Sequence, residues 1–208
     1  MNDTAASHIP EEDLWRAETY SLLARLLASV PDRELLNRLA AIPCGENPDD
    51  PPLARAWKRL AASARDADDI DLVEEYQTLF IGPTRGELLP YASWYLTGFL
   101  MEKPLAALRN ELRSFGIERQ ASAKEPEDHV AALCEVMSLL IIEAEGREAD
   151  FFAKHLAPWI MRFFTDLTEA QFACFYRAVG ELGTAFLNVE QQYLEMAKPK
   201  SGYDKTRP

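Results

Sequence analysis

Residues 74–96 read EEYQTLFIGPTRGELLPYASWYL, and this stretch decides how the rest of the chain is interpreted. Its first part spaces apolar residues three and four positions apart, which is typical of a helix. The pair Gly82 and Pro83 then ends that helix, because proline has no backbone donor and restricts the residue before it. Four aromatic residues follow between positions 90 and 99. Rings in such a place form either a core or the wall of a binding groove.

Charge and composition limit the classes of function. The 208 residues are 48% hydrophobic, enough for one large domain or two small ones with a substantial core. Lys and Arg number 22 against 34 Asp and Glu, a formal net charge of -12. This balance argues against nucleic acid as a partner, which would need a cationic surface. An acidic surface either attracts basic peptides or keeps the protein soluble, and composition leaves both open.

The chain carries no pattern that directs it into or across a membrane. Its first residues lack the basic and apolar regions of a secretory signal, and no run of about 18 apolar residues predicts a membrane span. The three cysteines, Cys44, Cys134 and Cys174, are odd in number and far apart, which indicates reduced thiols. We therefore expect a cytoplasmic protein.

Helical periodicity extends outward from residues 74–96 in both directions. No segment shows the sustained alternation of a strand, so the sequence predicts an all-α fold, a single helical domain of about nine helices. The helices expected before the central break span 11–28, 32–41, 53–67 and 69–80, with a proline-rich loop at 43–52.

The sequence after the central break predicts four further helical segments. One covers 103–115, and a second opens at 125–128 with Pro126 in the first position, where proline is favourable. A third covers 149–164 and is broken at Pro158. The last starts near Thr168, which forms a capping-box pattern with Gln171.

Composition also divides the chain into portions. The polar segment 116–124 lacks a periodic apolar set and is the candidate hinge between an N-terminal portion, 11–115, and a C-terminal portion, 125–196. We expect residues 1–10 to be flexible and the tail 197–208 to be disordered.

Catalytic and metal-binding motifs are missing. No Glu precedes His8, His129 or His155 by three residues, no zinc motif or P-loop occurs, and no Ser, His and Asp set stands on a recognisable turn. We therefore expect no enzyme activity, no cofactor and no metal. The alternative is a helical enzyme or metal carrier that uses His129, His155 and nearby carboxylates.

His129 follows the acids Glu125, Glu127 and Asp128 and has two interpretations. A neighbouring carboxylate favours the charged imidazole, whereas a helix N-terminus disfavours it. The residue is either a helix cap or interdomain contact, or a part of a ligand site.

Three motifs taken together resemble the TorD/DmsD/NarJ family of cytoplasmic chaperones for molybdenum-cofactor oxidoreductases, also called redox enzyme maturation proteins. They read EYxxLFxGP from position 75, LPYxSxY from position 89 and EPEDH from position 125. The resemblance covers residues 14–193. It implies an all-helical protein that is a monomer or a domain-swapped dimer.

The resemblance also implies a function and a site. The expected partners are the twin-arginine signal peptide and the catalytic subunit of a molybdenum oxidoreductase, whose export is delayed until the cofactor is inserted. At Tyr91 the chain departs from the family, which often has tryptophan there. The residues that the resemblance assigns to peptide binding are Gly82, Pro83, Tyr91, Ser93, Trp94, Tyr95, Glu125, Asp128 and His129.

Overall fold

The structure is a computed structural model, and it describes residues 9–45, 47–120, 124–143 and 146–197. In these ranges the regular structure is entirely helical, with ten α-helices and two π-helical turns, at Gln77–Ile81 and Phe152–Leu156. The helices are α1 (Glu11–Ala28), α2 (Arg33–Ala40), α3 (Pro52–Asp66), α4 (Asp69–Tyr76), α5 (Ala92–Thr97), α6 (Lys103–Ser114), α7 (Val130–Glu143), α8 (Glu148–Phe151), α9 (Ile160–Glu169) and α10 (Phe175–Ala197). The predicted all-α fold is confirmed.

Local capping explains where the N-terminal helices begin. The Asp32 carboxylate accepts a hydrogen bond from the Leu35 backbone N–H at 2.7 Å and caps α2. Asp68 caps α4 in the same way through the Ile70 N–H. Such side chains satisfy donors that the first helical turn leaves free. The bounds predicted for α2 are confirmed to within one residue, and the helix predicted at 69–80 is α4 followed by the π-helical turn that ends at Ile81.

The hydrophobic core draws on both halves of the chain. Helix α1 packs along α7, while α10 packs against α3 and α9. One cluster of buried apolar side chains extends from Ala17 in α1 to Leu194 in α10. Among the described residues, no helix has the length and apolar character needed to cross a membrane.

Both predicted helix breaks are confirmed. Helix α4 continues into the first π-helical turn, and the chain leaves it at Gly82 with φ of 59°. A side chain at Gly82 would place Cβ 2.1 Å from the Arg85 carbonyl oxygen, so only glycine is accommodated without rearrangement. The second π-helical turn leads into the non-helical residues around Pro158.

The start predicted for the final helix is wrong. Thr168 lies inside α9, where its hydroxyl donates to the Phe164 carbonyl oxygen, so it caps nothing. Helix α10 begins at Phe175 instead, and its first turn is capped by Glu75. The carboxylate of Glu75 accepts hydrogen bonds from the N–H groups of Cys174, Phe175 and Tyr176 at 2.8 to 3.0 Å.

The start predicted at residues 125–128 is also wrong, because α7 begins at Val130. The preceding residues form a turn in which the His129 N–H donates to the Pro126 carbonyl oxygen. Pro126 therefore lies in the turn and not in the first helical position. Backbone groups of this turn and of Val130 form hydrogen bonds with residues 89–93.

The portions proposed from composition stay predictions. At the start of segment 116–124, Gly116 has φ of 71°, and the Ile117 N–H donates to the Leu112 carbonyl oxygen to close α6. Residues 121–123 of that segment lie outside the described residues, as do 1–8 and 198–208 of the two ends.

Candidate functional site

Two segments that are about 35 residues apart in sequence lie side by side. The Ala92 N–H donates to the Asp128 carbonyl oxygen at 2.9 Å, and the Val130 N–H donates to the Pro90 carbonyl oxygen at 2.8 Å. These bonds frame an isolated antiparallel bridge between Tyr91 and His129. We refer to the side chains gathered here as the bridge cluster, which comprises Tyr91, Ser93, Glu125, Asp128 and His129.

Asp128 is the buried acid of the bridge cluster. Its side chain Oδ2 accepts hydrogen bonds from the Ser93 backbone N–H at 2.9 Å and from the Ser93 hydroxyl at 2.5 Å, which caps the first turn of α5. Its Oδ1 is buried and accepts no hydrogen bond from the described residues. The residue borders a small cavity of about 90 Å³ whose other lining residues are Ala92, Leu96, Pro104, Ala107, Leu108, Leu133, Lys154 and His155.

His129 caps α7 as a neutral imidazole. Its Nδ1 accepts a hydrogen bond from the Ala131 N–H at 3.1 Å, so this nitrogen carries no proton. Burial lowers the pKa of His129 to about 4, although Glu125 and Asp128 both favour the charged form. Of the two interpretations of this residue, the helix cap is the one that its hydrogen bond supports.

Tyr91 and Glu125 form the outer part of the bridge cluster. The Tyr91 hydroxyl donates to Glu125 Oε2 at 2.5 Å, and its ring meets that of His129 edge to face with centroids 5.1 Å apart. Burial and the Glu125 carboxylate raise the pKa of Tyr91, so the phenol stays protonated. Within the described ranges no Lys or Arg pairs with Glu125 or Asp128, whereas Glu127 pairs with Arg109 at 2.8 Å.

Gly82 and Pro83 line a separate and larger groove of about 780 Å³. Arg85 also lines this groove, and its guanidinium carbon lies 5.5 Å from the centroid of the Trp94 ring. The other residues along the groove are Gln77, Thr78, Gly86, Glu87, Gln171 and Phe172.

Tyr95 belongs to neither the bridge cluster nor the groove, because its side chain packs towards α9. Its hydroxyl donates to Asp166 in α9 at 2.9 Å, and its ring packs near Trp159 and Phe163 with centroids 5.4 and 6.0 Å away. The structure therefore brings five of the nine predicted residues into one cluster, places Gly82 and Pro83 along a separate groove, sets the Trp94 ring near Arg85 of that groove, and directs Tyr95 towards α9.

His155 is held by a hydrogen bond within the fold. Nε2 of His155 lies 3.0 Å from Oε2 of Glu111, and burial lowers the pKa of His155 against the opposing effect of that carboxylate. In the part of the chain that the structure describes, no three His, Cys, Asp or Glu side chains come together as metal ligands. His8 lies outside the described residues.

Several residues that shape these surfaces carry no signal in the sequence. Glu87 accepts hydrogen bonds from the N–H groups of Gln171 and Phe172, at 2.6 and 3.3 Å, and all three residues line the larger groove. Leu96 borders the cavity beside Asp128. Exposed acids and single leucines occur throughout the chain, so only tertiary contacts distinguish Glu87 and Leu96.

Sequence comparison finds related proteins over most of the chain. Residues 46–165 match the family described as nitrate reductase delta subunit. The chaperone protein TorD of Vibrio cholerae is 28% identical over 165 residues, which cover 71% of this chain and 75% of the relative. A protein of Haemophilus influenzae described as a Tat proofreading chaperone, DmsD, is 28% identical over 147 residues, with coverage of 70% and 72%.

Structural comparison finds the same architecture in a solved protein. A crystal structure from Archaeoglobus fulgidus, described as a redox enzyme maturation protein, superposes with a TM-score of 0.58. The superposition covers 89% of this chain and 99% of the other, at 19% sequence identity. This likeness supports the helical fold.

Proposed function

Since this chain belongs to the TorD/DmsD/NarJ family of chaperones for the maturation of molybdenum oxidoreductases, we propose that it binds the twin-arginine signal peptide of such an enzyme. The peptide belongs to the catalytic subunit, which is held in the cytoplasm until its cofactor is inserted. The curated relatives are chaperones, and the chain is a binding protein and not an enzyme.

The observation that carries this proposal is a pair of acids, Glu125 and Asp128, whose carboxylates form no ion pair with a Lys or Arg side chain among the described residues. The exposed carboxylate of Glu125 accepts the Tyr91 hydroxyl, and the Arg119 guanidinium donates to the Glu125 backbone carbonyl oxygen at 3.1 Å. Asp128 is 1% exposed and keeps Oδ1 unbonded among the described residues. A buried carboxylate is costly unless its oxygens accept hydrogen bonds. A cationic group that reaches the cavity would supply the missing donor.

Arginine has the chemistry that this arrangement requires. Its guanidinium presents five donors in a rigid plane, stays charged at any physiological pH and stacks on aromatic rings. The bridge cluster offers two carboxylates and the half-buried ring of Tyr91. The net charge of -12 also attracts a basic peptide from a distance.

Calorimetric titration with the twin-arginine signal peptides of molybdenum oxidoreductases from the same genome tests the proposal. We expect at least one to bind at micromolar concentration. Glu125→Gln and Asp128→Asn keep the side-chain shapes and remove charge, and each should weaken binding about tenfold, since a charge-assisted hydrogen bond contributes about 1.5–3 kcal/mol.

Glu195→Gln, which removes an exposed acid at the end of α10, is the control for Glu125→Gln and should leave affinity unchanged. The proposal is wrong if the unaltered protein binds none of these peptides at micromolar concentration. Equal losses from all three substitutions would indicate attraction by net charge alone and would remove the bridge cluster from the site.

The delay of export has its own test. Cells that lack this protein should export the client enzyme without its cofactor, so the periplasmic fraction should contain client protein with little molybdenum. Export of fully loaded enzyme at the normal rate would contradict this part of the proposal and leave peptide binding standing.

A further inference from the structure

The cavity beside Asp128 is bordered by two opposite charges that do not pair with each other. Its volume is about 90 Å³, and of the described residues that line it Asp128 is the only acid and Lys154 the only lysine or arginine. Opposite charges attract strongly where water is scarce. The ammonium of Lys154 nevertheless bonds Oε2 of Glu111, and Oδ1 of Asp128 receives no hydrogen bond from the described residues. Glu111 therefore competes with Asp128 for Lys154.

Glu111 lies next to this cavity on α6. Ala107 and Leu108, which line the cavity, precede it by four and three positions, so the three side chains share one face of the helix. The Glu111 side chain is 15% exposed and bonds two consecutive residues of the second π-helical turn, Lys154 and His155. Burial favours the protonated acid, but the hydrogen bonds with both partners hold the pKa of Glu111 below its usual value. Glu111 is therefore a carboxylate at neutral pH.

The two partners of Glu111 differ in how firmly they are held. The His155 side chain is 7% exposed, its Nε2 lies 3.0 Å from Glu111 Oε2, and its ring packs on Phe151 with centroids 4.9 Å apart. The Lys154 side chain, by contrast, is 58% exposed. A lysine carries a compact charge on a flexible four-carbon stem, so its ammonium exchanges readily between acceptors. Loss of the charge on Glu111 would therefore release Lys154 and leave His155 in place.

We propose that Glu111 is a positioning residue for peptide binding, which holds the Lys154 ammonium away from Asp128 and so keeps that carboxylate open to a cationic side chain of the ligand. The inference rests on the proposed function and adds a competing cation that belongs to the protein itself. A peptide would have to displace Lys154 if this lysine paired with Asp128. The apparent affinity falls in proportion to the fraction of molecules in which the site is open.

Calorimetric titration of the full-length chain with a signal peptide that the unaltered protein binds tests this role. Glu111→Gln keeps the shape of the side chain and removes the charge that attracts Lys154. It should weaken peptide binding about tenfold, which corresponds to Lys154 occupying Asp128 in about nine molecules of ten. Adding Lys154→Met to this variant should restore affinity to within about twofold of the unaltered protein, because no ammonium remains to occupy Asp128. Lys154→Met alone should not weaken binding.

A second background separates this role from support of the fold. With Asp128→Asn there is no carboxylate for Lys154 to occupy, so Glu111→Gln should then change affinity by less than about twofold. The control is Glu181→Gln, which removes an acid of 25% exposure that pairs with Arg59 and joins α10 to α3, outside the bridge cluster. It should leave peptide affinity unchanged to within about twofold, whereas general attraction by net charge would make it as harmful as Glu111→Gln.

Other outcomes contradict the inference in distinct ways. Peptide affinity of Glu111→Gln within twofold of the unaltered protein would show that Lys154 does not compete for Asp128, and would leave the proposed function intact. A loss that Lys154→Met fails to restore would assign Glu111 to the fold or to direct contact with the peptide. Failure of the unaltered protein to bind any signal peptide overturns the proposed function and this inference with it.

Discussion

Asp128 shows how one side chain can organise both a fold and a candidate site. Its Oδ2 accepts hydrogen bonds from Ser93 in the first turn of α5, its Oδ1 is buried without a hydrogen bond from the described residues, and the residue borders a small cavity. The sequence indicated an acid beside His129 and assigned both to the start of a helix. That assignment was partly wrong, because Asp128 caps α5 and His129 alone caps α7.

His129 makes stability depend on pH in a definite direction. Its pKa falls from about 6.5 in the unfolded chain to about 4 in the fold, so between these values the unfolded chain binds more protons. Stability is therefore complete above pH 6.5 and declines as pH falls towards 4. The loss approaches about 3 kcal/mol at the lower end, at about 1.4 kcal/mol for each unit of pKa.

The measurement is urea denaturation from pH 7 to 4 for the unaltered protein and for His129→Asn, which retains a capping side chain. The variant should show a smaller decline over this range. His155, whose pKa is also lowered by burial, is present in both proteins and cancels in the comparison. Parallel pH profiles would contradict a neutral His129 in the fold.

At the scale of helices, a long-range cap from Glu75 at the start of α10 takes the place of the local cap that the sequence suggested at Thr168. The end of α4 and the start of α10 are joined because Glu75 accepts three backbone hydrogen bonds from residues 174–176. A carboxylate in this position also interacts favourably with the positive end of the helix macrodipole. Thr168 and Gln171, by contrast, match the capping-box pattern in sequence, but Thr168 does not cap a helix.

Glu75→Ala should lower the free energy of unfolding by about 1–2 kcal/mol, the usual effect of removing a helix cap. Glu74→Ala is the matched control, because this neighbouring acid is exposed and only its backbone carbonyl oxygen accepts a hydrogen bond, from Thr78. Urea denaturation followed by circular dichroism measures both. Equal effects of the two substitutions would show that Glu75 contributes charge and not capping.

The contact between α9 and α10 depends on Gly183. A Cβ at this position would lie 2.2 Å from Cδ1 of the Phe164 ring, which is itself fully buried. Gly183→Ala should therefore destabilise the protein by about 1–3 kcal/mol through overpacking, even though alanine favours helix by about 1 kcal/mol.

Gly45→Ala is the control for that substitution, because nothing lies within 4 Å of its added Cβ. Thermal denaturation should show a lower melting temperature for the Gly183 variant and little change for the Gly45 variant. An increase in stability on Gly183→Ala would mean that the Phe164 ring moves aside without cost.

At the scale of the whole molecule, a buried ion pair joins the first helix to the last. The Arg16 guanidinium donates to both carboxylate oxygens of Glu190, at 2.7 and 2.8 Å, and it also pairs with Asp13 at 2.6 Å. Arg16 and Glu190 are almost fully buried, and the guanidinium carbon lies 4.1 Å from the centroid of the Tyr193 ring. These contacts connect α1 and α10 across 174 positions of sequence.

Removal of either member leaves the other charge buried without its partner. Arg16→Ala or Glu190→Ala should therefore cost about 3–5 kcal/mol, whereas an apolar pair, Arg16→Met with Glu190→Leu, should recover most of that loss. Arg38→Ala breaks an exposed pair with Glu34 and should cost less than about 1 kcal/mol. Urea denaturation distinguishes these cases, and equal effects at both pairs would contradict the role of burial.

The segment 116–124 remains a predicted connection between two portions of the chain. Limited trypsin digestion should cut after Arg119 or Lys124, or light scattering should detect domain-swapped dimers formed through this segment. A monomer that resists cleavage there would contradict the hinge and would agree with one continuous bundle.

The sequence by itself determined the all-α class, the helix break at Gly82, the break near Pro158 and the family, because each depends on local periodicity or on residues in a fixed order. Only the tertiary structure decided that Glu75 caps α10, that Asp128 bonds Ser93 and that Leu96 borders the cavity of Asp128. The reason is physical. Helical spacing is encoded by neighbours along the chain, whereas hydrogen bonds, burial and shifted pKa values depend on groups that meet only after the helices pack.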